Sequence, residues 1–133
     1  DDVNIERALM AFEHFILPED VSEREEIEEL IRATRYPYQI PSKELGLSAQ
    51  ILRDADVAQV FSSAWFQQVI FGLAEEWRKG VEEVLRIQEP FLKSLCFYTS
   101  WAEREFPHEV IVAKIDETRR ILALLTNENA PET

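Results

Sequence analysis

The chain has 133 residues, 46% of them hydrophobic and 30% charged, with a net charge of −12. That is enough apolar material for one compact domain with a real core, and it excludes a disordered or low-complexity chain. The acidity works against nucleic acid polymers and anionic membranes, no apolar run approaches the roughly 20 residues of a membrane span, and the single cysteine excludes a disulfide framework.

The charge is uneven. Residues 1–34 hold 11 acids and 3 bases, a balance of −8, and the remaining 99 hold 15 acids and 11 bases, a balance of −4. No basic, then apolar, then small-residue leader is visible, and a lone thiol fits a reducing compartment, so a cytoplasmic location is expected. Cys96 lies in Leu95-Cys96-Phe97, which predicts a buried structural thiol.

Glycine is limited to Gly46, Gly72 and Gly80. Sustained strand alternation is missing, while helical periodicity recurs, so the expected class is all-α: a single domain of about six helices. Ile5, Leu9, Phe12 and Ile16 predict a first helix over 3–17, closed by Pro18. Ser22 and Glu25 have capping-box spacing for a second helix, with Ile27, Leu30 and Ile31 on its apolar face, ending near Thr34. Pro37 and Pro41 make 35–46 an irregular connection.

A third helix is expected over 48–60, and a fourth, capped by Ser62 or Ser63, over 64–73. A long helix over 75–94 follows, with Trp77, Val81, Val84, Gln88, Phe91 and Leu95 inward and Pro90 as a kink or break. Pro107 precedes a final amphipathic helix over 109–126, with Ile111, Ile115, Leu122 and Leu125 on one side; 127–133 reads as a frayed tail. The aromatic stripe of Trp65, Phe66, Phe71, Trp77, Phe91, Phe97, Tyr98 and Trp101 reads as core by default, with a pocket lining or a partner surface such as a homodimer interface as its other uses.

Ile51-Leu52-Arg53-Asp54-Ala55-Asp56-Val57 places two carboxylates in an otherwise apolar helical segment. Buried carboxylates need a cation, a metal or hydrogen-bond donors. Two residues apart on a helix is about 200° around the axis, so Asp54 and Asp56 diverge and cannot both hold one small ion. Asp56 shares a face with Leu52 and Val60, and Asp54 with Ile51, Val57 and Ala58. The spacing fits two readings equally: a metal ligand with a supporting partner, or buried ion pairs with Arg53, Arg35 or Arg32. Arg32 and Arg35 flank Thr34 and are also candidates to hold a phosphate. His14, His108, Glu75-Glu76 and Glu82-Glu83 read as ordinary surface or helix-end residues. No Gly-rich phosphate loop, nucleophile elbow or paired cysteines occur.

The segment Leu30-Ile31-Arg32-Ala33-Thr34-Arg35-Tyr36-Pro37, a loop, and then Ile51-Leu52-Arg53-Asp54-Ala55-Asp56 resembles the second half of HD-domain phosphohydrolases. Gln88-Glu89-Pro90-Phe91-Leu92 and Phe97-Tyr98-Thr99-Ser100-Trp101 resemble one branch of that family. The resemblance implies an all-helical, metal-dependent enzyme that hydrolyses phosphate esters of nucleotides and related compounds. It implies a divalent metal ion held in part by Asp56, Asp54 in a supporting catalytic role, and a small phosphorylated substrate. The family's early histidine and His-Asp pair have no counterpart here, so the resemblance implies either a domain whose first metal-binding helices are missing or a relative that never had them, incomplete or inactive as this chain. A non-catalytic helical binding or oligomerisation module with buried Asp-Arg pairs is the alternative.

Overall fold

The computed structural model describes residues 2–128, and among these all regular structure is helical. Contacts group the chain into two compact units, Asp1–Val57 and Ala58–Thr133.

The first unit opens with α1 (Asp2–Phe15) and α2 (Arg24–Ala33), joined by a 3₁₀ turn over Pro18–Glu23. Pro18 sits at the start of that turn, where its missing N–H costs nothing. The expected Ser22 capping box does not form. Ser22 is used inside the 3₁₀ turn, and α2 begins two residues later behind Glu23, which makes no side-chain cap. Two helices alone cannot enclose a core, and α1 has no buried residue: Ile5, Leu9 and Phe12, and Ile16 just after it, reach only half burial. Charge ties the pair together, with Arg24 bound to Glu13 of α1 and to Glu28.

After α2 the chain runs irregularly to a short 3₁₀ turn at Ser42–Glu44, then enters α3 (Leu47–Ala58). The two prolines explain the irregularity, as expected. Ala49, Arg53, Asp54 and Val57 form the buried side of α3.

The second unit starts with a 3₁₀ turn, Gln59–Phe61, and a π-helical stretch, Phe66–Phe71, that runs into α4 (Gly72–Trp77). No serine caps it; Trp65 occupies the cap position. The expected long helix over 75–94 is broken. Arg78 adopts a left-handed conformation (φ 53°), its N–H bonding back to α4, and α5 (Val81–Lys93) restarts behind Gly80, whose N–H donates to the Glu83 carboxylate. Pro90 lies inside α5 without ending it. A short α6 (Ser100–Glu105) is capped by Thr99, whose Oγ1 accepts from the Ala102 N–H. α7 (His108–Glu128) packs along α5 and carries the expected 109–126 segment; of the expected frayed tail, 129–133 lie outside the described residues.

The core of this unit is Val60, Trp65, Ile70, Ala74, Val84, Leu85, Leu92 and Ile115, with Ile111, Leu122 and Leu125 packed against it. The α5 stripe holds at Val84 and Gln88, but Trp77 is 39% exposed because it precedes the break. The aromatic stripe divides: Trp65 is 1% exposed while Phe71 and Trp101 lie half open. Cys96 is exposed, correcting the expected buried thiol; it falls in the non-helical stretch between α5 and α6, where its neighbour Leu95 packs against the core instead.

Candidate functional site

The site is built on α3. Arg53 is 1% exposed and points toward the end of α2 and the following loop. Its Nε donates to the Ala33 carbonyl at 2.6 Å. Its two terminal nitrogens share the Ile40 carbonyl at 3.2 and 3.3 Å, and its guanidinium lies 4.0 Å from the centroid of the Tyr38 ring. A planar fork of donors suits this work: one side chain satisfies a buried helix-terminal carbonyl and a part-buried loop carbonyl together. The Thr34 hydroxyl donates to the Ile31 carbonyl and finishes the same helix end.

Asp54 is 3% exposed, on the same inner side of the helix. Asp56 faces outward, as the angular separation requires. The expectation that both aspartates are buried is thus corrected: only Asp54 is. Enough protein still surrounds the Asp56 carboxyl for desolvation to push it above the ordinary carboxylate value. It has no hydrogen-bond or ion-pair partner among the described residues.

The two flanking arginines are used elsewhere. Arg32 pairs with Glu28 at 3.2 Å, and Arg35 pairs with Asp2. Neither is committed to Asp54 or Asp56 among the described residues. The cation buried beside these aspartates in sequence is Arg53, and its guanidinium donates to the Ala33 and Ile40 carbonyls. Tyr38 and the Ala33 and Ile40 carbonyls are contributors that sequence spacing could not reveal, because they come from segments 13 and 20 residues away.

His14 is exposed on α1 with its ring edge-on to Phe15, and His108 is exposed at the start of α7. Among the described residues no group of three or more His, Cys, Asp or Glu side chains is arranged to hold a metal ion. Divalent sites use three or more protein donors. The described residues offer Asp56 as one donor rather than a complete set. None of the described helices is long and apolar enough to cross a membrane.

No protein-family model, no curated protein and no solved structure matches the chain.

Proposed function

We propose that this chain is an HD-domain-like phosphohydrolase, incomplete or inactive in this form, of the metal-dependent kind that hydrolyses a phosphate ester such as that of a nucleotide, with Asp56 as one metal donor and Asp54 beside it in a supporting catalytic role. One observation carries this reading. Asp56 is a solvent-reachable carboxylate with no partner among the described residues, kept partly desolvated on a helix pinned in place two ways by Arg53. A carboxylate left unpaired at a net cost is what a cation site requires before the cation arrives. The motif resemblance supplies the reaction class, and a bound divalent ion would there activate water for attack on phosphorus.

A second reading is a helical binding or oligomerisation module without catalysis. The burial of Arg53 on two backbone carbonyls favours it, because that arginine is fully occupied in holding the fold.

Manganese titration followed by nuclear magnetic resonance separates the two. The first reading expects paramagnetic broadening that begins at the amides of 55–58 and disappears in Asp56→Asn. Broadening that starts on the acidic face of α2, at Glu25, Glu26 and Glu29, and ignores that substitution refutes it and leaves the module.

A further inference from the structure

We infer that a groove along α7 seats a second copy of this chain, the two α7 helices running antiparallel across a two-fold axis. The groove has a volume of about 640 Å³, with Phe61, Val110, Ala113, Ile121 and Leu124 as its apolar lining and Lys114, Glu117 and Arg120 as its charged lining. Along α7 those positions are spaced by three and four residues, so they form one continuous stripe. Leu124 is 65% exposed, a large apolar side chain left in water beside an apolar groove.

Charge selects the occupant. A chain with a net charge of −12 repels its own copies over most of its surface. This stripe is an exception, with two bases to one acid. Lys114 already pairs with Glu117 at 2.7 Å and stands 4.4 Å from the centroid of the Trp65 ring. Arg120 donates only to the Asp116 backbone carbonyl and has no carboxylate partner among the described residues. An antiparallel pairing centred between residues 117 and 120 sets each Glu117 opposite Arg120 of the second copy. The same register lays each Leu124 against Ala113 of the second copy. Self-complementarity of this kind is what a two-fold interface demands.

Sedimentation velocity over about 1–200 µM tests it. The unaltered chain is expected to associate reversibly to a dimer within that range. Leu124→Asp should weaken association at least about tenfold, as loss of an apolar anchor does. Glu117→Arg and Arg120→Glu should each weaken it alone, by setting like charges opposite each other. Mixed in equal amounts, those two variants should recover association as a heterodimer, since each supplies the charge the other lacks. This rescue stays decisive even if Leu124→Asp misfolds. A chain that remains monomeric at the upper limit overturns the inference and leaves the groove to a partner of other chemistry. So does a mixture that fails to recover, or a Leu124→Asp variant that folds and dimerises unchanged.

Discussion

Replacing Arg53 by methionine keeps most of the side-chain volume and removes the guanidinium. The Ala33 and Ile40 carbonyls then lose their side-chain donors inside the protein. The buried Ala33 acceptor left this way costs about 1–3 kcal/mol, the part-buried Ile40 acceptor less because water can reach it, and the lost contact with the Tyr38 ring adds about 1–2 kcal/mol. Relief of the guanidinium's own desolvation offsets part of the total. A net loss of about 2–4 kcal/mol is expected, a large share of the stability of any small domain. Arg53→Lys should be nearly as damaging, because a single ammonium cannot span both carbonyls as a fork does. All three tryptophans lie in the second unit, so fluorescence reports the wrong half of the chain. Hydrogen exchange at the α3 amides is the better assay, and protection there should fall by roughly 100-fold at about 3 kcal/mol. Protection within a few-fold of the unaltered chain, or an Arg53→Lys variant that behaves normally, would show that the two carbonyls do not depend on this fork.

Three further outcomes are expected. Asp56 has a raised folded-state value, so the folded protein holds its proton to higher pH than the unfolded chain, and stability falls as pH rises through that window. Asp56→Asn should therefore be more stable than the unaltered chain at neutral pH and indistinguishable well below the ordinary aspartate value of 3.8; urea midpoints at both pH values check this. Glu89 of α5 behaves oppositely: hydrogen bonds from Arg119 of α7, and then from Lys93, hold it down to about 2. Its contribution is present above 4.5 and is lost as pH falls toward 2, so Glu89→Gln should flatten the acid limb of a stability-against-pH curve. Arg78→Gly should stabilise the α4 end by about 0.5–1 kcal/mol, because φ 53° strains any residue with a Cβ and suits glycine, a shift readable in the thermal midpoint.

What could be read from the sequence follows from local rules. The helical class, the irregular 35–46 connection and the inner stripes of α5 and α7 rest on periodicity, on proline and on scarce glycine, each acting within a few residues. The divergence of Asp54 from Asp56 was likewise fixed by helix geometry alone. The break at Arg78 was not readable, since an arginine carries no signal for a left-handed turn and Gly80 follows two positions later. Nor was α6, whose cap rests on one threonine in an aromatic stretch.

The carbonyls that Arg53 would meet, and which aspartate would face inward, were decided by packing. Amphipathic order says that an α3 residue turns in or out only once a neighbouring segment defines inside. Here the end of α2 and the 36–41 loop define it, by presenting one buried and one part-buried carbonyl that a forked cation satisfies together. The sequence by itself settled the helical class and the order of most helices, because these depend on neighbours along the chain. Only the tertiary structure settled which charges are occupied and which stand free, because that depends on neighbours through space.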